Sequence, residues 1–311
     1  MTSQTIIKHN IIRIGTRGSP LALKQAHEVR EQLIKNHDLK LENFEIVIIK
    51  TTGDRIVDHP LSTIGGKGLF TKEIEEALIE KKIDIAVHSM KDMPTKQPEN
   101  LIIDCFLKRE DPRDVFISNK LDALSQVNNN TIVGTSSLRR KAQILNLIPT
   151  IKVVEFRGNV QTRLKKLDAG IADCTFLAMA GLKRLGLSLL ISKPIPITTM
   201  LPAVAQGIIG IERRIEDQGI ETLLKKINHK PTTQMANAER AMLKILDGSC
   251  ETPIAGLALI DKNRMTLKGE VLRVDGTEKM CSEATGDVSN AVDLGKKVGN
   301  LLKRKIGKDF Y

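Results

Sequence analysis

Short runs of β-branched residues alternate with helical patterns between residues 11 and 179, and this alternation constrains the fold more than any other feature. The runs predict strands at residues 11–16, 44–50, 83–87, 101–107, 131–134, 151–156 and 174–179. The helical patterns predict helices at residues 20–36, 71–81, 138–146 and 159–168. Strands that alternate with helices are typical of α/β domains built on parallel sheets.

The pattern restarts at residue 131, and its two starts resemble each other. Ile14-Gly15-Thr16 and Val133-Gly134-Thr135 each lead through Gly-Thr towards a helix whose cap is a serine, Ser19 or Ser137. Free backbone N–H groups at such a helix start, together with the serine hydroxyl, suit an anion. This internal echo favours two similar doubly wound lobes that resemble two-lobed periplasmic binding proteins.

The chain crosses between the predicted lobes twice. A charged, proline-containing stretch at residues 108–113 is the first crossing, and residues 194–202 form the second. Residues 208–212 then return to the first lobe as a strand. Further along, helices at 232–246 and 288–305, with strand-like runs from 254 to 285 between them, predict a small α+β domain. We therefore predict lobe 1 at residues 1–107 with 203–226 returning to it, lobe 2 at 108–202, and a C-terminal domain at 227–311.

The composition is typical of a soluble, cytoplasmic protein. Apolar residues make up 41% of the 311, and no apolar run is long enough to span a bilayer. The N-terminal residues show no signal-peptide pattern. Four cysteines, Cys105, Cys174, Cys250 and Cys281, lack metal-ligand spacing, and scattered thiols in a chain of this size do not predict disulfides.

The net charge of +11 is concentrated in one stretch, because residues 131–186 hold ten basic and three acidic residues. Arginine side chains suit bidentate recognition of carboxylate or phosphate, which indicates a polyanionic partner. Nucleic acid is one such partner, but the chain has no Trp, one Tyr and seven Phe, so few side chains can stack on bases. A polyanionic small molecule fits this composition better.

Cys250 follows a predicted helix in a turn of small residues, Asp247-Gly248-Ser249. A thiol at such a turn is better suited to covalent attachment than to core packing. Residues 239–255, with Glu-Arg, a spaced apolar run, Gly-small-Cys and Thr-Pro, resemble the cofactor-attachment signature of the porphobilinogen deaminase (hydroxymethylbilane synthase) family. The resemblance implies a dipyrromethane cofactor bound through a thioether at Cys250.

A second segment, His88-Ser89-Met90-Lys91-Asp92-Met93-Pro94, follows a predicted strand at the carboxyl edge of the sheet, where open α/β sheets build their sites. Taken alone, Asp92 fits a helix cap or a salt-bridge partner of Lys91. The segment is similar to the catalytic segment of the same family, which implies that Asp92 is the catalytic carboxylate and Lys91 a cofactor contact. We interpret His88 as a structural histidine.

Further segments are similar to motifs of this family. They are residues 15–20, the glycine-rich loop 65–70, and residues 134–140, 157–163 and 177–186. Alone, the glycine-rich loop predicts only a flexible turn, because it lacks the order of residues in a P-loop. The resemblance implies that the cofactor is bound by Lys91, Thr135, Ser137, Arg139 and Arg140. It implies that the substrate is bound by Arg17, Ser19, Gln25, Lys67, Arg157, Arg163 and Arg184.

The implied reaction joins four porphobilinogen molecules head to tail with release of ammonia, on a dipyrromethane primer, and then frees linear hydroxymethylbilane by hydrolysis. Each pyrrole carries an acetate and a propionate, so clustered arginines would offset the accumulating negative charge. Asp92 would stabilise the azafulvenium cation left when ammonia departs, and would move protons. The resemblance implies a monomer and no metal.

Two other classes of protein stay open at this point. A non-catalytic two-lobed anion-binding protein would have the same lobes, although it leaves Cys250 unexplained. A nucleic-acid-binding module would show a steep salt dependence of DNA binding.

Overall fold

The computed structural model describes residues 11–55, 68–191, 194–248, 252–307 and 310. These residues form two compact units. Unit 1 contains residues 11–55, 68–109 and 208–233, and unit 2 contains residues 110–191, 194–207, 234–248, 252–307 and 310. The chain therefore leaves unit 1 after Arg109 and returns to it at Ile208.

Twelve strands are found in the described ranges: β1 (Ile12–Thr16), β2 (Phe44–Ile48), β3 (Ile85–Ser89), β4 (Leu101–Phe106), β5 (Asp114–Ser118), β6 (Ile132–Gly134), β7 (Lys152–Val154), β8 (Cys174–Ala178), β9 (Ile209–Arg214), β10 (Ile254–Asp261), β11 (Arg264–Leu272) and β12 (Lys279–Asp287). The same ranges contain nine α-helices: α1 (Pro20–Asn36), α2 (Thr52–Arg55), α3 (Lys72–Ile79), α4 (Leu138–Leu147), α5 (Val160–Asp168), α6 (Met179–Arg184), α7 (Gln218–Ile227), α8 (Lys230–Ile245) and α9 (Ala291–Lys305).

Unit 1 is built on a sheet of order β2-β1-β3-β9-β4 that is covered on both faces. Strand side chains alternate between the faces. Ile85 and Val87 of β3 pack with residues of α1 and α7, whereas Ala86 packs with Ile74 and Leu78 of α3. A sheet that is buried on both sides by helices is the doubly wound arrangement predicted from the alternating pattern.

Unit 2 contains a sheet of order β7-β6-β8-β5, in which β7-β6-β8 repeats the arrangement β2-β1-β3 of unit 1. Strand β5 occupies the place of β9, although β5 precedes its neighbours in the chain and β9 follows them. Phe116 and Phe176 pack against α4 on one face, and Val115 and Leu177 pack with residues of α5 and α6 on the other. In each unit the Gly-Thr strand lies between two parallel neighbours, β2 and β3 around β1, β7 and β8 around β6. The internal echo in the sequence therefore corresponds to two sheets of like topology.

Unit 2 also holds an antiparallel sheet of order β10-β11-β12. Helices α8 and α9 lie directly on it: a Cβ at Gly269 of β11 would stand 2.5 Å from the Met242 sulfur of α8 and 2.8 Å from Leu302 of α9. This α+β layer follows the class predicted for the end of the chain. The predicted domain boundaries themselves stay a prediction.

The parallel sheets predicted from the alternating pattern are found, but each also contains an antiparallel strand. Strand β9 runs antiparallel to β3 and β4, and β5 runs antiparallel to β8. Strands β5 and β9 each follow a crossing segment directly. A parallel strand needs a crossover connection, usually a helix, and neither crossing segment supplies one. Strand β5 was not predicted at all, and neither were α6 and α7.

Candidate functional site

The predicted catalytic segment forms a short one-turn helix at the end of β3. Met90 and Met93 are 1% and 4% exposed, and the Met90 N–H donates to the Ile208 carbonyl over 3.0 Å. These buried methionines fix the turn, so that Lys91 and Asp92 between them are half-buried. Among the described residues, no hydrogen bond or ion pair engages the Asp92 carboxylate. A half-buried carboxylate without an internal partner is available to a reacting group.

His88, just before this segment, is committed to the core of unit 1. Its Nε2 lies 3.0 Å from Oε2 of Glu212 on the neighbouring strand β9, and the two side chains are 5% and 0% exposed. Burial and the nearby Glu212 raise the pKa of Glu75 on the covering helix. The arrangement fits the structural role predicted for His88.

Gln25 is tied to the same segment. It lies on the buried face of α1, where its amide nitrogen donates to Ser89 Oγ over 2.8 Å and its amide oxygen accepts from that hydroxyl over 3.0 Å. Ser19 caps α1, because its hydroxyl accepts from the Ala22 N–H over 3.3 Å. The predicted substrate contacts Gln25 and Ser19 thus both have local partners within unit 1.

Arg17 is held by an internal carboxylate. Its Nη2 and Nε lie 2.5 and 3.2 Å from the two carboxylate oxygens of Asp54, and Thr51 Oγ donates to the same carboxylate over 2.8 Å. The guanidinium also lies over the Phe70 ring, 4.2 Å from its centroid. Burial opposes ionisation of Asp54, but Arg17 and Thr51 outweigh it and lower the pKa of that carboxyl. Since β1 and β3 are parallel neighbours, Arg17 and Asp92 leave the same edge of the sheet.

The predicted cofactor residues of unit 2 surround the start of α4. Ser137 caps the helix, and its own N–H donates to Thr135 Oγ over 3.2 Å. Arg139 and Arg140 follow in the first turn and are each only 4% exposed. Their guanidinium groups meet one carboxylate, that of Asp114: Arg139 Nη1 lies 2.8 Å from Oδ2, and Arg140 Nη2 lies 2.7 Å from Oδ1.

Charge governs this buried cluster. Burial opposes ionisation of Asp114, yet the two arginines outweigh it and hold the pKa of Asp114 well below its ordinary value. Burial lowers the pKa of Arg139, and Asp114 counteracts this. The Nε atoms of Arg139 and Arg140 are buried and have no hydrogen-bond partner within the described part of the chain.

The other predicted substrate arginines of unit 2 lie near the same sheet edge. Arg163 lies on α5, and its Nε donates to the Gly158 carbonyl over 2.8 Å. Arg184 ends α6, and both of its Nη groups lie 3.3 Å from the Gly207 carbonyl. Arg157 follows β7, and its carbonyl accepts from Lys166. Because β7 and β8 flank β6 in parallel, the segments that carry these arginines leave the edge where α4 begins.

Sequence reasoning missed Asp114 and Asp54. The signal for Asp114 was present, since Val115-Phe116-Ile117 is an apolar run behind Pro112 and Arg113 that is typical of a strand. Asp54 carried no comparable signal. Cys250 and Lys67 lie outside the described residues.

The described residues show neither a metal-binding cluster nor a membrane-spanning helix. They contain no group of three or more His, Cys, Asp or Glu side chains arranged to hold a metal ion. They also contain no helix that is long and apolar enough to cross a membrane.

Comparison with known proteins identifies the family. The model of the porphobilinogen deaminase dipyromethane cofactor binding domain matches residues 12–222, and that of the porphobilinogen deaminase C-terminal domain matches residues 233–304. Porphobilinogen deaminase of Paracoccus denitrificans is 54% identical over 302 residues, 97% of this chain and 96% of its own. The chloroplastic porphobilinogen deaminase of Oryza sativa is 50% identical over 309 residues, 98% of this chain and 86% of its own.

Similarity to solved structures is weaker. The periplasmic VFT2 domain of Bordetella pertussis BvgS overlaps 72% of this chain and 89% of its own, with a TM-score of 0.43 and 14% identity. A score at this level does not establish a shared fold, so the α/β class rests on the two sheets themselves.

The two family models and the two relatives agree with the motifs of the sequence. They confirm the predicted family of transferases and the presence of its dipyrromethane-binding domain. The chain therefore belongs to the porphobilinogen deaminase family.

Proposed function

We propose that the chain is a hydroxymethylbilane synthase, which joins four porphobilinogen molecules head to tail, releases ammonia at each addition and frees linear hydroxymethylbilane by hydrolysis. The observation that carries this proposal is the placement of charge: Asp92 lies at the carboxyl edge of one doubly wound sheet, and arginines lie at the carboxyl edge of the other. Membership of the family supplies the reaction, and these positions support the role of each residue.

The arginines suit a substrate that carries carboxylates. Arg17, Arg157, Arg163 and Arg184 would bind the acetate and propionate groups of porphobilinogen and of the growing chain. A guanidinium presents several N–H donors in one plane, an arrangement that matches the two oxygens of a carboxylate. Removal of one charge-assisted contact typically costs about 1.5–3 kcal/mol.

Asp92 is suited to charge stabilisation and proton transfer. Its carboxylate is half-buried and has no internal partner among the described residues. It would stabilise positive charge that develops on the substrate as ammonia leaves, and would accept or return a proton at the pyrrole nitrogen or the amine. The buried methionines on both sides hold it in place for this task.

Arg139 and Arg140 suit the carboxylates of dipyrromethane. A buried N–H donor without a partner is costly, and the Nε atoms of both arginines are such donors. An anion bound at the start of α4 would satisfy them, beside the hydroxyls of Thr135 and Ser137. When bound, dipyrromethane supplies the primer to which the first pyrrole is joined. Cys250 stays the predicted point of attachment.

The intact mass of the purified protein tests this proposal. Protein made in cells that produce porphobilinogen should exceed its sequence mass by two porphobilinogen units less two ammonias. Cys250→Ser protein should show the bare sequence mass and no ammonia release from porphobilinogen. Cys281→Ser is the matched control, because Cys281 is exposed on β12 and has no role in our assignment.

Wild-type protein at its bare sequence mass would contradict the covalent cofactor. Ammonia release by the Cys250→Ser protein at the wild-type rate would contradict the attachment point. The first result would leave a binding protein as the better account of the fold, whereas the second would leave an enzyme whose primer is not attached at Cys250.

The oligomeric state, the cellular location and the domain boundaries of the protein are also proposals. We propose that the protein acts as a monomer, which sedimentation velocity tests, and that it works in the cytoplasm, which cell fractionation tests. We also keep the three predicted domains as a proposal, which limited proteolysis near residues 108, 203 and 227 tests.

A further inference from the structure

Asp114 is the common acceptor of a buried network in unit 2. It is the first residue of β5 and its side chain is fully buried. Its Oδ2 forms an ion pair with Arg139 Nη1 at 2.8 Å, and its Oδ1 accepts from Arg140 over 2.7 Å and from Gln206 over 2.9 Å. One carboxylate therefore sets the separation of two guanidinium groups that would otherwise repel each other.

The remaining contacts of the two arginines lock their orientation. Arg139 Nη1 also donates to Gln143 Oε1 and to the Leu201 carbonyl, each over 3.0 Å. Arg140 Nη1 donates to the Phe176 carbonyl over 2.9 Å. These bonds use Nη atoms and leave the buried Nε of each arginine without a partner in the described residues. Each guanidinium group is therefore bonded to the protein through Nη1, and its Nε–H remains for a ligand.

The same carboxylate is bonded to the segment by which the chain returns to unit 1. Gln206 donates to the Pro112 carbonyl over 2.6 Å as well as to Asp114. Its neighbour Gly207 has a φ of +88°, and a Cβ there would stand 2.4 Å from the Glu110 carbonyl oxygen. The two crossing segments are therefore closely paired beside Asp114, which gives the carboxylate a rigid support.

We propose that Asp114 is a positioning residue for the dipyrromethane: it holds Arg139 and Arg140 at the spacing and orientation in which their unused donors bind the cofactor's carboxylates. The inference rests on the proposed cofactor role of these arginines. Asp114 does not touch the cofactor in this account, and it acts only through the two guanidinium groups.

Asp114→Asn is the variant that tests this role. It keeps the size of the side chain but removes the charge and turns an NH2 group towards one arginine. Asp84→Asn is the matched control, because Asp84 accepts from Arg13 Nη2 and Nε over 2.9 and 3.0 Å in unit 1. Both variants lose a carboxylate that binds arginine, and only one of them lies at the cofactor arginines.

The readout is the fraction of folded protein that carries the cofactor, measured by intact mass after size-exclusion chromatography. We expect this fraction to fall about tenfold or more in Asp114→Asn and to stay at the wild-type level in Asp84→Asn. The melting temperature of wild-type protein should be higher with cofactor than without it, and Asp114→Asn should lose most of that difference. Folded Asp114→Asn protein with the full wild-type cofactor content would overturn the proposal.

Asp114→Glu covers the case in which the Asn variant does not fold. It keeps the charge but displaces the carboxylate by one methylene. Apoprotein of this variant should take up cofactor from porphobilinogen about tenfold more slowly than wild-type apoprotein. Uptake at the wild-type rate would overturn the positioning role. Failure of the proposed function looks different, because wild-type and Asp84→Asn protein would then lack the mass increment as well.

Discussion

Two arginine sites in this molecule bind an internal carboxylate in opposite ways. In unit 1, Arg17 and Asp54 are 26% and 30% exposed, and no second arginine shares their pair in the described contacts. In unit 2, the side chains of Arg139 and Arg140 are 4% and 5% exposed around an Asp114 side chain that is fully buried. An exposed pair typically contributes less than about 1 kcal/mol, whereas breaking a buried one costs about 3–5 kcal/mol.

The difference matches the two kinds of ligand in the proposed reaction. A substrate carboxylate that comes and goes can displace Asp54 from Arg17 at little cost. A cofactor that stays bound is held more firmly by guanidinium groups that are fixed in position. Under the proposed function, Arg17 would be the exchangeable site and the Arg139–Arg140 pair the fixed one, and the following predictions test that contrast.

The largest effect is expected for Arg139→Leu. It breaks a buried ion network, so the free energy of unfolding should fall by about 3 kcal/mol or more, and the cofactor should be lost. Denaturant unfolding measures the first and intact mass the second. A loss of stability no larger than that of Arg17→Leu would contradict the contrast.

Asp92→Asn should change the rate of the reaction without changing the properties that depend on the two arginine sites, namely stability and cofactor content. The variant should fold with normal stability and carry cofactor, while ammonia release at saturating porphobilinogen falls about 10²–10³-fold. A thermal melt and intact mass accompany the rate measurement. A rate within about threefold of wild type would make Asp92 a structural residue.

Arg17→Leu should mainly weaken substrate binding. KM for porphobilinogen should rise about ten- to a hundredfold with the cofactor retained, because one charge-assisted contact is lost. Stability should change by less than about 1 kcal/mol, since the Asp54 pair is exposed. Steady-state kinetics beside a denaturation curve decides the matter, and loss of the cofactor would show that Arg17 belongs to the fixed site.

Asp54→Asn should have a smaller effect of the opposite sign. The substrate no longer has to displace a carboxylate from Arg17, so KM should fall by up to about fivefold. An increase in KM would mean that Asp54 positions Arg17 for its ligand instead of competing with that ligand.

The smallest effect is on the pH dependence of stability. Arg17 lowers the pKa of Asp54, so the pair stabilises the fold above the ordinary carboxyl pKa, and this contribution is lost as pH falls through the lower folded value. The stability difference between wild type and Asp54→Asn should stay constant from about pH 9 to 5 and shrink below about pH 4. Acid titrations followed by circular dichroism measure it, and a difference that varies near pH 7 would point to another group.

Local signals predicted the parts of the site that depend on neighbours in sequence. Ser19 and Pro20 placed the start of α1 correctly, because an N-cap and a first-turn proline act within one helical turn. The apolar run before His88 placed the predicted catalytic segment at the end of a strand for the same reason. The family motifs then supplied the chemistry.

Partners that are distant in sequence were not predictable in this way. Asp114 meets Arg139 and Arg140 only because β5 lies beside β8 in the sheet. That neighbour relation depends on an antiparallel strand, which the alternation of strands and helices did not indicate. Arg17 and Asp54 likewise meet through the order of β1 and β2 and the short helix α2, and no local pattern encodes such a pair.

The position of β9 has a consequence for how the chain folds as it is made. This strand lies between β3 and β4, yet it is encoded about a hundred residues after them. Until the ribosome has released residue 214, β4 has no partner strand and the edge of β3 is open. The four strands of the second sheet are complete by residue 178. In most proteins the part that is synthesised first also folds first. Here the second sheet can be completed before the first, and the edge of β3 stays exposed until β9 has been synthesised.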